Sequence, residues 1–240
     1  MDGVKVLVIV PAYNEAESIE SVVQDIARHA DYDIAVVNDG SSDDTVDICR
    51  RISDQIRILD LPNNLGIGGA VQAGYKFAYA NGYDVAVQFD GDGQHDGSYL
   101  KPLVCELLRT DKDLIIGSRF IEGKKSEFQS TAMRRLGISI IRSLIKLVSG
   151  KLVTDPTSGF RACSKRAISF FCREYPMDYP EPESIVAIQA CGMSVGELPV
   201  EMRSRQGGSS SIKALSSIYY MMKVSLAILI QGSKCHRRVQ

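Results

Sequence analysis

Four times in its first hundred residues the chain passes through a short apolar or β-branched run and breaks, within four residues, onto Asn or Asp. The runs are Lys5–Val10, Ile34–Val37, Ile56–Leu59 and Asp84–Phe89, with a fifth strand candidate at Leu114–Gly117. Helical patterns lie between them, at Glu15–His29, Asp43–Arg51, Gly68–Ala80 and Ser98–Arg109. Short strands alternating with helices predict an α/β fold, a Rossmann-like, mainly parallel central sheet flanked by helices. In such a sheet ligands bind outside the carboxyl ends of the strands, so the polar breaks are where chemistry is expected.

A chain of 240 residues with 45% hydrophobic and 24% charged side chains can bury one substantial core, which excludes disordered, collagen-like and coiled-coil readings. No fixed-period repeat is present, so a solenoid is not expected. The six cysteines form no CxxC pair and no His stands at metal-ligand spacing, which argues against a zinc or redox site and for reduced thiols in the cytosol. The run Val4–Ala12 is too short for a signal-peptide core and reads as the first strand. The late run Ile218–Ile230, interrupted by Lys223, falls short of the roughly 18–20 residues that span a bilayer.

The formal charge of −1 hides unlike parts. Residues 1–122 carry 10 basic and 21 acidic side chains, whereas 123–151 carry 7 and 1, and 202–240 carry 7 and none. Two basic segments on an acidic body suggest an anionic partner or surface; no nucleic-acid partner is expected. One of these segments contains a cationic amphipathic pattern from Met133 to Val148, which suits either a core-packing helix with a basic edge or a helix lying at a membrane surface.

The most informative break is Asp90-Gly91-Asp92-Gly93-Gln94-His95, where two carboxylates separated by one Gly can converge on a hard divalent cation that bridges to a diphosphate. The first strand ends in Pro11-Ala12-Tyr13-Asn14-Glu15, with a flat ring to face a base. The second ends in Asn38-Asp39-Gly40, placing a carboxylate that can accept a base N–H on the same edge. The third leads to Asn63-Asn64-Leu65-Gly66-Ile67-Gly68-Gly69, a Gly-rich approach to a helix whose backbone can come close to a phosphate or ribose. None of these is GxGxxG or a P-loop, which argues against a dinucleotide oxidoreductase or P-loop ATPase. Pro11–Glu15 holds no Lys or Arg, against a nucleotidyltransferase, and the intact DxD argues against a silent binding module. His95 suits a hydrogen-bonding role beside the carboxylates better than that of a base.

In order and spacing, PAYNE at 11–15, VNDGSSDDT at 37–45, NNLGIGGAVQAGY at 63–75, DGDGQH at 90–95, GSRF at 117–120, TSGFR at 157–161 and RQGGSS at 205–210 resemble family 2 glycosyltransferases of the GT-A fold, nearest to their dolichol-phosphate mannose synthase-like, polyprenyl-phosphate branch. The resemblance covers residues 5–212 and implies a single GT-A domain over 1–211, followed by an amphipathic helix and basic tail over 212–240. It implies that Pro11, Tyr13, Glu15, Asp39, Asn64, Gly66 and Asp90 hold the nucleotide. Asp90, Asp92 and Gln94 are implied to hold Mg²⁺ or Mn²⁺ on the diphosphate of a UDP-, GDP- or dTDP-sugar. Arg119, Arg161, Arg203 and Arg205 are the available cations for phosphate, and Arg205 with Ser210 is implied to belong to a lid hinged at Gly207 and Gly208. Members of the lipid-phosphate branch commonly carry Lys after that Ser, where this chain has Ser211.

The expected activity is inverting, metal-dependent transfer of a sugar to an undecaprenyl or dolichyl phosphate at the cytoplasmic membrane face. Membrane contact would come from the amphipathic helices or a separate membrane partner. The alternative is a saccharide hydroxyl acceptor in cell-wall or capsular polysaccharide synthesis. A hydroxyl needs a general base, for which Glu181 and Glu183 are the candidates beside Asp92 and Arg205 in the catalytic set, with Asp155 held for sugar or acceptor binding.

Overall fold

The computed structural model describes residues 3–121, 132–203 and 221–231. Strand β1 (Val6–Ala12) is buried along its whole length, as an apolar run must be when both faces of a sheet are covered. It pairs in parallel with β2 (Asp33–Asn38) on one side and β4 (Val85–Gln88) on the other, and β2 pairs in parallel with β3 (Arg57–Asp60). The crossovers are α1 (Ile19–His29), α2 (Thr45–Arg51) and α3 (Gly66–Ala80), and α4 (Leu100–Thr110) leads on to β5 (Leu114–Ser118). All five expected strands and four expected helices are present with ends shifted by a few residues. The largest shift is at α1, whose first expected residues form a turn that shapes the site.

Two strands lie beyond the predicted five. β6 (Arg161–Ser164) runs antiparallel between β4 and β5, and β7 (Val195–Pro199) adds to the outer side of β5 in parallel, giving the order β3-β2-β1-β4-β6-β5-β7. Neither shows a strand pattern: β6 begins on an arginine and β7 contains Gly196 and ends at Pro199. Between them come α6 (Lys165–Arg173), whose first turn is capped by the Ser164 hydroxyl accepting the Ala167 N–H, and α7 (Pro180–Ala190), which starts with proline in its first turn.

The alternating side chains of β1 separate two cores. Leu7 and Ile9 face α3, α6 and α7, while Val6, Val8 and Val10 face α1 and α4. Helix α5 (Ala132–Ser149) packs Ile141 and Ile145 into the first core, as does α8 (221–231) with Val224 and Ile228. The two helices meet where Gly137 leaves room for the Met221 sulfur. No helix among the described residues is long and apolar enough to cross a membrane. The expected boundary at 211–212 lies outside the described residues.

Candidate active site

The carboxyl ends of β1, β2 and β4 open onto one cleft of about 700 Å³, lined by Pro11–Glu15, Asp39, Asn64, Gly66, Ile67, Ala70 and Asp90–Asp92. Every residue expected to hold the nucleotide lies on this lining. The turn after β1 is sewn to the loop after β2. Asn14, in the left-handed region at φ 55°, donates its N–H to the Ser41 hydroxyl at 3.0 Å and accepts the Ser42 N–H at 2.8 Å. The Glu15 N–H donates to the Thr45 hydroxyl at 2.9 Å and the Ala16 N–H to Asp43 at 3.1 Å. The Ser-Ser-Asp-Asp-Thr run thus shapes the turn that presents Tyr13, whose ring is half exposed. Asp43 is held below the ordinary carboxylate range: burial opposes ionisation, but hydrogen bonds from Thr45 and Ala16 outweigh it.

Asp39 is buried, and its Oδ1 accepts the Leu65 N–H at 2.7 Å, which fixes the loop that carries Asn64 and Gly66. Gly40 makes this approach possible. It sits at φ +65°, and a Cβ there would lie 2.8 Å from the Asn64 nitrogen.

At the end of β4, Gln88 donates to Asp90 Oδ1 at 3.1 Å. The Asp90 N–H donates to His95 Nδ1 at 3.0 Å, leaving the ring proton on Nε2, 3.5 Å from Asp90 Oδ2. The His95 ring is stacked on Phe160 and edge-on to Phe89, and burial lowers its pKa against the pull of Asp90 and Asp92. A neutral, packed imidazole is a support for the loop and is not poised as a base. Asp92 Oδ1 accepts the Gln94 N–H at 3.0 Å, and the Ser18 hydroxyl donates to the Gly91 carbonyl at 2.7 Å. A Cβ on Gly159 would fall 2.6 Å from Asp90 Oδ2, so the backbone before β6 lies directly against this carboxylate.

These donors suit a hard cation. Asp90 and Asp92 supply carboxylate oxygens on the cleft wall. Among the described residues no group of three or more His, Cys, Asp or Glu is gathered for a metal. One or two carboxylates completed by a ligand's phosphates and by water is how Mg²⁺ is commonly held, whereas a dedicated protein cage would need more ligands.

The acceptor-side residues are placed differently from expectation. Asp155 is fully buried and takes the Arg119 guanidinium on both oxygens, at 2.6 and 2.8 Å; Arg119 also donates to Thr157 at 3.0 Å. The two side chains expected to meet phosphate or acceptor therefore meet each other. Arg161 is 1% exposed, with its guanidinium hydrogen-bonded to the Ser158 and Pro156 carbonyls and the Ser184 hydroxyl. Its charge favours ionisation of Glu181. Arg203 pairs with Asp25 and Asp96 at 3.1 and 2.9 Å. Glu181 and Glu183 occupy the first turn of α7. Burial raises the pKa of Glu181, with Arg161 opposing and Asp90 adding to the shift. Arg205 and Ser210 lie outside the described residues. Gln88, Ser18 and Asp25 were not singled out from the sequence; a buried acid on the apolar face of α1 is the one signal that could have drawn attention to Asp25.

A family model described as glycosyl transferase family 2 matches residues 7–171. The chain is 30% identical over 217 residues to a UDP-N-acetylglucosamine–dolichyl-phosphate N-acetylglucosaminyltransferase of Methanococcus voltae, covering 82% of this chain and 84% of the relative. It is 32% identical over 216 residues to an undecaprenyl-phosphate mannosyltransferase of Micrococcus luteus, covering 87% of each. Among solved structures, glucosyl-3-phosphoglycerate synthase of Mycobacterium tuberculosis, in complex with Mn²⁺, UDP and glucosyl-3-phosphoglycerate, superposes with a TM-score of 0.69 at 21% identity, over 96% of this chain and 80% of that one.

Proposed function

The chain belongs to glycosyl transferase family 2, and we propose that it transfers a sugar, with inversion, from a nucleoside-diphosphate donor to a polyprenyl phosphate at the cytoplasmic face of a membrane. The observation that carries this reading is the convergence of Tyr13, Asp39, Asp90 and Asp92 from three strand ends on one cleft. In this reading Tyr13 covers the base, the Asp39 carboxylate accepts a base N–H, and Glu15, Asn64 and Gly66 border the ribose and phosphates. Asp90, Asp92 and Gln94 would hold Mg²⁺ or Mn²⁺. Bound there, the ion would offset negative charge building on the departing diphosphate. Arg161 adds a fixed, buried positive charge that acts on Glu181, in a site of low dielectric where such charges act strongly. Pro11, conformationally stiff, and the stitched turn after it hold the donor side in place before substrate arrives.

The acceptor half is supported by the activities in the names of the two relatives and by an apolar surface interspersed with basic residues. Ile140, Leu147 and Leu152 in and after α5, and Met222, Leu226 and Leu229 on α8, are exposed, on helices that also carry Arg142, Lys146 and Lys223. A phosphate monoester with a second pKa of about 6 is largely ionised at pH 7 and attacks without a general base. With radiolabelled nucleotide-sugar and polyprenyl phosphate, label enters the organic-extractable fraction; label that never enters it overturns the lipid-phosphate reading. Calorimetry with UDP, GDP and dTDP, with and without Mn²⁺, identifies the base, and binding indifferent to Mn²⁺ overturns the metal assignment.

The raised pKa of Glu181, near Asp90, favours a second reading in which a saccharide hydroxyl is deprotonated there. Glu181→Gln separates the two: a large loss of kcat with donor affinity intact supports the hydroxyl acceptor, and near-unchanged kcat supports phosphate.

A further inference from the structure

Three segments distant in sequence meet behind the loop that carries Asp90 and Asp92. Asp25, on α1, is buried although acidic, and its Oδ2 accepts the Gly97 N–H at 2.8 Å and Arg203 Nη1 at 3.1 Å. Arg203 Nη2 lies 2.9 Å from Asp96 Oδ1, an oxygen that also accepts the Ser98 N–H at 2.9 Å. The Arg203 backbone N–H donates to the Gln94 carbonyl at 2.8 Å. His29 closes the fourth side, with Nδ1 3.5 Å from Asp25 Oδ1. A Cβ on Gly97 would lie 2.8 Å from the Asp25 carbonyl and 2.9 Å from His29, so the loop seats on α1 only with glycine there.

We propose that Asp25, Asp96 and Arg203 form a clasp that holds the Asp92–Gln94 arm of the metal loop in its ligating position. Arg203 is then a positioning residue, in place of the phosphate cation suggested by the sequence. The arm needs such support because Gly91, Gly93 and Gly97 give the loop wide backbone freedom, with Gly93 at φ +75°. The Asp90 end is fixed by His95 and Gln88. The Asp92 end is fixed through a continuous path: the Gln94 N–H holds the Asp92 carboxylate, the Arg203 N–H holds the Gln94 carbonyl, and the Arg203 guanidinium is anchored on α1 through Asp25. Directional hydrogen bonds to two carboxylates restrain the chain even where half-exposure of Arg203 weakens its Coulomb attraction.

The inference rests on the reading of Asp90 and Asp92 as metal ligands, and the test separates the two. Free Mn²⁺ is followed by its electron paramagnetic resonance signal during titration of the full chain with UDP present, for wild type, Arg203→Gln, Arg203→Lys and the milder Asp96→Asn. Metal-free UDP binding certifies that each variant is folded. Loss of a hydrogen-bond partner of a ligand typically weakens metal affinity about 10–100-fold; Arg203→Gln acts one link further out, so a rise in Mn²⁺ Kd at the lower end, about 10-fold, is expected with metal-free UDP affinity unchanged. Arg203→Lys, which can hold one carboxylate but not both, restores part of the loss, and Asp96→Asn loses less. Equal Mn²⁺ affinity in wild type and all three variants overturns the clasp, even if Tm falls. Absence of Mn²⁺ binding by the wild type overturns the metal assignment, and the clasp with it.

Discussion

A buried arginine is tolerated only where its donors are met, and Arg161 meets them with two carbonyls and a hydroxyl. Arg119 is satisfied instead by a carboxylate. Asp155→Ala leaves that guanidinium in a dry site without its counter-charge, and removal of one partner of a buried pair costs about 3–5 kcal/mol, to be read from urea unfolding at pH 7. Burial alone would raise the Asp155 pKa, but Arg119 holds it below the ordinary 3.8. The stabilisation is thus complete above that ordinary value and is lost as pH falls through the depressed one. The stability gap between wild type and Asp155→Ala is expected to close below about pH 4. At Gly40, alanine meets both an unfavourable φ, costing about 1–2 kcal/mol, and the Asn64 backbone, so Gly40→Ala should displace the 63–66 loop and weaken UDP binding in calorimetry. That Tyr13, Asp39 and Asp90 would line one cleft was legible in the sequence because each stands within two residues of a strand's end. The partners of Asn14 and Glu15, 27 to 30 residues away, and the pairing of Arg119 with Asp155 across 36 were not, since spacing says nothing of which loops touch.

At the scale of elements, pattern served where burial is regular and failed where it is not. β1, β2 and β4 carry apolar runs because helices cover both faces. β6 and β7 escaped notice because one holds a buried arginine and the other sits outside β5, with every residue only partly covered. The amphipathic pattern of α5 suited two readings, and the core-packing one is seen in Ile138, Ile141 and Ile145; Ile140 and Leu147 stay outside, Leu147 at 77% exposure. Exposed apolar side chains on α5 and α8 among basic residues suit an anionic bilayer surface. Leu147→Glu combined with Leu226→Glu is expected to abolish flotation with vesicles containing anionic lipid while leaving UDP binding intact. Retained flotation would exclude these helices as the contact.

For the whole molecule, near-neutrality divides into an acidic segment at 1–122 and basic segments at 123–151 and 202–240. Exposed charges are screened over about 8 Å at physiological ionic strength, so vesicle binding should fall steeply between low and high salt. UDP binding in the cleft should respond far less, a contrast measurable in one salt series. The reversed strand β6 has a further consequence. Because it runs against β4 and β5, the segment from Arg119 to Phe160 leaves the sheet at the rim where Asp90 stands and re-enters it at that same rim. Both ends of that segment are thus pinned by cross-strand partners, which makes it a natural cassette for recombination. A chimaera carrying residues 119–160 of a relative with another acceptor is expected to inherit that acceptor and keep this chain's choice of base, which a paired assay of acceptor range and nucleotide affinity would show.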